Sequence, residues 1–532
     1  MRRVIHILFA SLIIAATGLG AAGTPPLVDA VKRGDHEAVR RLLRSRVDVN
    51  APDADGTTAL HWAVQANDFD LVAPLIRAGA NVRLANRYGI QPLTLAATNG
   101  STRVIAALLD AGADAKASTG AGEPVVMTAA RTGNTEALRL LIGHGADVNA
   151  RESWFGETAV MWAAAENHAA AVRMLVESGA DIDARSTVLD APVLEFPRSG
   201  GPNSPFPRGG WNALMFAARQ GAIDAARALA ELGADLNATV LPQTDVPLKP
   251  DEIKAAANGA GTTALVEAII NVHYDLAAML LEKGADPNIA DGAGMAALYA
   301  AVDMNSLQWV QGRPAPILTD RLDGADLVAL LLKKGADPNA RLKSKPLKRH
   351  HDAGSTMNFG EGTTPLIRAA RTGDAAVIRA LLDEGANPFL TLPDRTSALM
   401  IAAGSGYGGV RGDGIRIVVP TPEAAIEALG LLLDRGVDVD GFNNAGNTAL
   451  HAAVTRGDAV VKYLASRGAT LHLKNKAGLT PLDVALGRGR GGRAGGGRGG
   501  SARESTAALL RDLIREAEEQ QKVGSSTFKV GK

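Results

Sequence analysis

The sequence predicts an all-α repeat solenoid, a stack of about twelve helix–turn–helix units of about 33 residues each. A glycine followed by a small- and leucine-rich segment recurs along the chain, with gaps of 33, 33 and 34 residues where the repeat is uninterrupted. Hydrophobic residues make up 46% of the chain but aromatic residues only 4%, which favours closely packed helices of Ala, Leu and Val. The recurring positions are Gly56, Gly89, Gly122, Gly156, Gly210, Gly261, Gly294, Gly362, Gly446 and Gly478, with Arg395 in the same register.

The clearest unit begins at Thr58, whose hydroxyl is expected to cap a short helix of small residues. Asn67 interrupts that helix, and residues 71–76 carry apolar side chains at helical spacing for a second one. Gly79 follows, a residue that adopts the left-handed helix-ending conformation without a steric penalty. Neither helix can bury its apolar face alone, so each unit requires neighbours.

These motifs resemble the ankyrin repeat family. Its helix start, its paired alanines and its G-A-D-x-N turn are visible in Thr364-Pro365-Leu366, in Thr448-Ala449-Leu450-His451 and in the segment 145–149. The resemblance recurs about twelve times from Pro25 to roughly Ile514, and we assign residues 24–486 to the solenoid with its insertions. It implies a curved stack of helix pairs with β-hairpin fingers at one edge, and protein–protein binding as the function.

Two departures stand out. Pro74 falls inside a predicted second helix, where proline costs about 3 kcal/mol. Arg46 occupies a position at which later units carry glycine, which an N-terminal capping repeat could tolerate.

Extra residues interrupt the repeat at defined places. Insertions near 187–209, 239–260 and 341–361 follow the G-A-D-x-N turn and lengthen the finger edge. Those near 304–324 and 404–422 fall between the two helices of a unit. Loops on a rigid scaffold are frequent functional sites, but tolerated surface decorations are an equally open interpretation.

The chain ends follow other patterns. Residues 1–23 combine an arginine pair, an apolar run and small residues, the order of a secretory signal peptide, although an uncleaved membrane anchor remains an alternative. Residues 487–503 form a Gly/Arg-rich linker within the last repeat, for which RNA binding is a weaker alternative. A capping helix is expected over 504–520 and a disordered tail over 521–532.

Composition and motifs argue against several chemistries. Lysine plus arginine and aspartate plus glutamate both total 56, a balance that disfavours a dedicated nucleic-acid binder. Cysteine is absent, which removes disulfides and thiolate metal sites. No catalytic, cofactor-binding or metal-binding motif is present, so we predict no enzyme activity and no cofactor. His61 and His451 are expected to bond at helix starts, and the recurring aspartates, such as Asp147 and Asp286, to cap turns.

Two groups of residues are candidates for partner binding. Arg87, Tyr88, Trp154 and Phe155 are predicted at fingertips, where exposed aromatic side chains often anchor a partner. The second group follows the paired alanines on first helices, a region that lines the concave surface in ankyrin-like stacks. Its arginines would favour a partner with an anionic surface, unless they are only solvated helix-end charges. These residues are Arg131, Arg219, Arg371 and Arg456.

The sequence therefore favours an exported scaffold, periplasmic or secreted and of bacterial origin, that binds a protein partner. It would not insert stably in a membrane once the signal is removed. A secreted effector that engages host proteins is one alternative. A ligand-binding or enzymatic site built from the inserted loops is another.

Overall fold

The computed structural model describes residues 24–188, 209–240, 260–305, 320–344, 359–405, 420–488 and 500–527. The predicted signal peptide and the interiors of the predicted insertions lie outside these residues. Within the described ranges the protein is an all-α repeat solenoid with 24 helices and no strand. No helix of this part of the chain is both long and apolar enough to cross a bilayer.

The chain divides into two compact units between Asp181 and Ile182. The first unit contains five described helix pairs: α1 Pro26–Lys32, α2 His36–Arg44, α3 Ala59–Gln65, α4 Phe69–Arg77, α5 Pro92–Thr98, α6 Thr102–Asp110, α7 Val125–Thr132, α8 Thr135–Gly143, α9 Ala159–Ala165 and α10 Ala169–Glu177. The second contains α11 Ala213–Gln220, α12 Ile223–Glu231, α13 Ala264–Ile270, α14 Tyr274–Glu282, α15 Ala297–Asn305, α16 Gly324–Lys333, α17 Pro365–Thr372, α18 Ala375–Asp383, α19 Ala398–Ala403, α20 Pro422–Asp434, α21 Ala449–Ala453, α22 Asp458–Ser466, α23 Pro481–Ala485 and α24 Gly500–Thr527.

Side-chain caps set where the helices begin. Thr364 accepts from the Ile367 amide, 3.2 Å away, at the start of α17. Asp374 does the same for the Val377 amide, at 3.1 Å, at the start of α18. Gly79 follows α4 with φ +89°, the left-handed conformation expected of it.

The core of each repeat lies between its first and second helices. The alanines of the first helices, among them Ala63 and Ala129, have no exposed surface and let successive helices approach closely. Leucines of the second helices, including Leu75, Leu108 and Leu141, are equally buried against them. Small residues in one layer and leucines in the other explain how so few aromatic residues suffice.

The fingers are tighter than the predicted β-hairpins. Among the described residues, four fingers are turns closed by an isolated antiparallel bridge, such as Arg151 with Thr158, and a fifth bridge, Thr239 with Thr263, joins the flanks of an insertion. Backbone hydrogen bonds also join the flanks of three insertions: Ser186 to Trp211 at 2.9 Å, Val240 to Thr262 at 2.9 Å and Leu342 to Thr363 at 3.0 Å.

Two local features depart from the regular repeat, as the sequence indicates, and the last helix departs from its predicted bounds. Pro74 lies inside α4, which continues on both sides of it. Arg46 adopts φ +55°, so it takes the left-handed conformation itself, at the place where later units use glycine. The final helix, α24, begins at residue 500 and reaches residue 527, so it extends beyond both ends of the predicted capping helix and into the predicted tail.

Candidate protein-binding surfaces

Four turns project between the helix pairs of the first unit. We call them fingers 1 to 4, comprising residues 53–57, 86–90, 119–123 and 152–157. In each, the amide of the first residue donates to the carbonyl oxygen of the last, at 3.0, 3.0, 2.9 and 3.1 Å respectively. This shared closure gives all four fingers the same frame, so their differences lie in the residues at the tips.

Finger 4 is built around a buried carboxylate. Glu152, only 7% exposed, accepts from the amides of Trp154 and Phe155 at 2.6 Å each and from that of Glu157 at 3.0 Å. Three charge-assisted hydrogen bonds hold the turn in one conformation. The Trp154 and Phe155 side chains remain 66% and 45% exposed. The tip therefore presents two aromatic side chains from an ordered backbone.

Finger 3 packs against the tips on either side through glycines. A Cβ at Gly120 would clash with the carbonyl oxygen of Tyr88 in finger 2, and one at Gly122 would clash with the Ser153 hydroxyl in finger 4. Across the same contact, the Trp154 indole N–H donates to the Ala121 carbonyl oxygen at 2.9 Å. Only glycine permits this approach. Fingers 2 to 4 thus form one platform, with bare backbone between Tyr88 and Trp154.

All four predicted fingertip residues lie on this platform. Tyr88 is 64% exposed, and the Arg87 side chain beside it is also exposed. The Arg87 amide donates to the Asp55 carbonyl oxygen of finger 1, 2.9 Å away. The structure therefore brings Arg87 and Tyr88 of finger 2 and the aromatic pair of finger 4 onto one edge of the first unit.

The first-helix arginines are placed differently. Arg131, at the end of α7, lies over the indole of Trp162 in the next repeat, with 5.1 Å between the guanidinium carbon and the ring centroid. Its Nη2 is 3.8 Å from a Glu123 carboxylate oxygen, and its side chain is 39% exposed. Arg131 therefore already has an aromatic and an anionic neighbour within the chain.

Arg219, at the end of α11, also has neighbours of both kinds. Its guanidinium carbon is 5.3 Å from the Trp211 ring centroid, and the side chain is exposed. Its charge acts on Glu267 of the next repeat. Burial raises the pKa of the Glu267 carboxyl to about 7, against the lowering effects of Arg219 and a hydrogen bond from Asn271.

The expectation that the arginine after the paired alanines is exposed does not hold for Arg371, and the guanidinium group of Arg456, one residue further along its repeat, is enclosed as well. Arg371 is 6% exposed, and all three guanidinium nitrogens of Arg456 are buried. Both interact with other groups of the chain, so neither is free to receive a partner. The side chain of Arg456 lies against Gly404 of the preceding repeat, where any Cβ would meet it at 2.6 Å. Packing between repeats has absorbed these two arginines.

Protein-family profiles match this chain over most of its length. Profiles described as ankyrin repeats in three copies match residues 27–119, 93–186 and 321–412. Profiles for many copies match 160–230 and 423–459, and the single-repeat profile matches 260–292 and 445–476. Together they cover well over half of the chain. The chain belongs to the ankyrin repeat family. Ankyrin repeats generally mediate protein–protein interaction, and proteins built from them are typically non-enzymatic scaffolds.

The histidines of this ankyrin chain act as predicted at helix starts. His61 is buried, and its Nδ1 accepts from the Thr58 amide at 3.2 Å, while Nε2 lies 3.1 Å from the Ile90 carbonyl oxygen. Burial lowers the pKa of the imidazole. His451 repeats the arrangement with Thr448, at 3.2 Å. Both side chains join one repeat to the next.

The recurring aspartates cap turns, also as predicted. Asp147, Asp235, Asp286 and Asp337 each accept from the amide two residues further on, at 2.8 to 2.9 Å. Among the described residues, no group of three or more His, Asp or Glu side chains is arranged to hold a metal ion.

The first helices of successive repeats contact each other at fixed positions, and this pairing rule was not predicted from the sequence. The seventh residue after the cap in one ankyrin repeat meets the fourth residue after the cap in the next. Arg131 and Trp162 follow this rule, as do Arg219 and Glu267. Lys32 Nζ lies over the Trp62 ring, 4.3 Å from its centroid, and Asp303 forms a buried ion pair with Arg368 at 2.5 Å. Lys32 Nζ also meets Asp53 of finger 1 at 2.8 Å, a contact outside this rule. Lys32–Trp62 and Asp303–Arg368 obey the same register, and aligned repeats could have shown it.

Proposed function

We propose that this ankyrin chain is an exported, non-enzymatic scaffold that binds a partner protein through fingers 2 to 4. The observation that carries the proposal is the ordered platform on which Tyr88, Trp154 and Phe155 are 45–66% exposed. Large aromatic side chains held at low conformational cost are the residues that most often dominate binding energy.

The fingers are favoured over the first-helix arginines as the main docking surface. Arg371 is buried, the guanidinium nitrogens of Arg456 are buried, and Arg131 already lies over Trp162. Arg219 is exposed but belongs to the second unit, whereas Arg87 is exposed at the fingertips themselves. We therefore place the partner on the finger edge of the first unit, with Arg87 as the neighbouring cation.

A non-enzymatic role agrees with how the buried polar groups are used. Glu152 holds a turn and His61 caps a helix, and each has its hydrogen-bond partners inside the repeat array. A scaffold that binds by shape and aromatic contact needs no reactive group, which is consistent with the absence of cysteine from the sequence.

Site-specific photo-cross-linking in bacterial cells tests the docking surface. A photoreactive residue placed at Arg87 or Phe155 should capture the same partner. One placed at Arg139, on the second helix α8 and 64% exposed, is the matched control. Cross-links from Arg139 alone, or from none of the three positions, would contradict the proposal.

Export is supported by residues 1–23, which follow the order of a secretory signal peptide. Cell fractionation with mass spectrometry of the N-terminus tests it. We expect the chain in the periplasm or medium, shortened to begin near Gly23, and a chain lacking residues 4–16 to stay in the cytoplasm. A full-length chain found only in the cytoplasm would refute export without affecting the docking proposal.

A further inference from the structure

A ladder of side chains joins the repeats of the second unit beside the fingers. The Asn339 amide group donates to the Gly385 carbonyl oxygen at 3.1 Å, and its oxygen accepts from the Asn387 amide at 2.7 Å. Asn288 makes the same two bonds one repeat earlier. Each such residue therefore ties its own turn to the turn of the next repeat.

Phe389 occupies the next position of this ladder. Its side chain can neither donate nor accept, and it is 60% exposed. One repeat further on the ladder resumes, because Asp440 accepts from the amide and the hydroxyl of Thr470 at 2.9 and 2.5 Å. Phenylalanine at this place gives up two inter-repeat hydrogen bonds and gains little burial. Its side chain is explained better by contact with another molecule than by folding.

A second exposed phenylalanine stands in the following turn. Phe442 is 53% exposed, and the Arg395 guanidinium carbon lies 5.3 Å from its ring centroid. Arg395 adopts φ +64° at the position where other fingers carry glycine. This left-handed conformation is unfavourable for arginine, yet it places a cation beside the ring.

Backbone hydrogen bonds tie three neighbouring fingers of the second unit together. The Asn444 amide donates to the Asp394 carbonyl oxygen at 2.7 Å, and the Lys476 amide donates to the Ala445 carbonyl oxygen at 3.0 Å. Successive packed repeats lie about 10 Å apart. We call the surface formed by Phe389, Arg395, Phe442, Lys474 and Lys476 the phenylalanine ledge.

The charge of the phenylalanine ledge is positive. Arg395, Lys474 and Lys476 are exposed, and none of them makes an ion pair with any described residue. The nearby Asp394 and Asp440 carboxylates form no ion pair with these three cations in the described part of the chain: Asp394 accepts from the amide and hydroxyl of Thr396 at 2.9 Å each, and Asp440 accepts from Thr470. Uncompensated cations beside exposed aromatic rings favour a ligand that combines carboxylates with apolar side chains.

We propose that the phenylalanine ledge binds an acidic peptide segment that carries aromatic or large aliphatic side chains. The apolar side chains pack on Phe389 and Phe442, and the carboxylates meet Arg395, Lys474 and Lys476. We favour a peptide over a nucleic-acid strand because three cations offer few phosphate contacts, and the chain as a whole carries equal numbers of basic and acidic residues. The proposal shares the protein-binding character of the proposed function but uses a different surface.

Titration of the full chain with a synthetic peptide tests the inference. The probe is a glutamate-rich peptide containing phenylalanine, compared with its glutamine counterpart and with a single-stranded oligothymidylate. We expect saturable binding of the acidic peptide, weakened by added salt, and at least about tenfold weaker binding of the glutamine peptide. Absent binding of the acidic peptide, or tighter binding of the oligonucleotide, would overturn the proposal.

Variants assign the binding to the ledge. Phe389→Asn inserts the side chain used at Asn288 and Asn339, so the fold should be retained while peptide affinity falls at least about tenfold. Phe442→Thr, which copies Thr391 in the preceding repeat, should act in the same direction. The pair Lys474→Gln and Lys476→Gln should weaken binding and its salt dependence, whereas Lys462→Gln on α22 should not.

Unchanged peptide affinity in both Phe389→Asn and Phe442→Thr would refute the ledge. The outcome is separable from the proposed function, because Tyr88, Trp154 and Phe155 are not part of the ledge. Their replacement by alanine should leave peptide affinity intact. Loss of cross-linking at the fingers with intact peptide binding, or the reverse, shows which proposal has failed.

Discussion

The Arg368 guanidinium and the Asp303 carboxylate meet at 2.5 Å inside the second unit, with side-chain exposures of 1% and 2%. Arg371, one turn further along the same helix, is also buried. In the sequence Arg371 follows a pair of alanines, as the exposed Arg219 does. Sequence position alone did not separate them, because burial depends on which residues the next repeat brings alongside.

Removing one partner of this pair should be costly. Arg368→Ala leaves the Asp303 carboxylate buried without its cation, and we expect the free energy of unfolding to fall by about 3–5 kcal/mol. Arg379→Ala is the control, because Arg379 meets Glu427 at 3.6 Å with both side chains more than half exposed. It should cost less than about 1 kcal/mol. Chemical denaturation of both variants measures the difference, and equal losses would contradict the assigned burial.

Glu267 predicts a pH dependence of stability. Its pKa in the folded chain, about 7, exceeds the ordinary value of 4.5, so the folded state holds the proton more tightly than the unfolded state. Its contribution to stability is present below pH 4.5 and is lost as the pH rises towards 7. Relative to wild type, Glu267→Gln should therefore gain on the order of 2–3 kcal/mol at pH 8 and almost nothing near pH 4.5.

Denaturation of both proteins across this pH range provides the check. Glu427→Gln, on an exposed side chain, is the control and should change the free energy of unfolding by less than about 1 kcal/mol. A constant offset between wild type and Glu267→Gln would show that the Glu267 carboxyl does not titrate in this range.

Among the structural elements, the helix pairs were predictable and the finger tips only partly so. Caps such as Thr364 and the left-handed Gly79 are local signals that neighbouring residues dictate. The close approach of finger 3 to Tyr88 is not local, since it depends on the turn of an adjacent repeat. Gly120 and Gly122 were the sequence signal for this contact, because two glycines in one tip indicate that neighbouring residues approach closely.

Finger 3 carries a prediction of its own. Gly120→Ala forces the Tyr88 carbonyl to move, so we expect a loss of about 1–3 kcal/mol in stability and weaker partner binding. Gly143→Ala is the matched control. Gly143 ends α8 with nothing within 4 Å of an added Cβ, and alanine there should stabilise by up to about 1 kcal/mol. Thermal unfolding of both variants tests the contrast, and a neutral Gly120→Ala would argue against the packed platform.

Across the whole molecule, the repeat period predicted an all-α solenoid, and the family comparison confirms ankyrin repeats. The inter-repeat pairings could not be predicted with the same ease. Asp303 and Arg368 are 65 residues apart, since two insertions, near 304–324 and 341–361, lie between them. Insertions make it difficult to see from the sequence which positions of successive repeats are neighbours. For this reason the sequence indicated partner binding for all the first-helix arginines, although some of them join one repeat to the next.

If a partner protein docks on fingers 2 to 4, the dissociation constant of the cross-linked partner depends on the exposed aromatic side chains of these fingers. The Tyr88→Ala, Trp154→Ala, Phe155→Ala triple variant should bind at least about a hundredfold more weakly than wild type, and the loss of the hydrogen bond from Trp154 to Ala121 should cost only about 1 kcal/mol of stability. Arg131→Ala combined with Arg219→Ala should weaken binding by less than about tenfold. Wild-type affinity in the triple variant, or a larger loss in the arginine variant, would contradict the account.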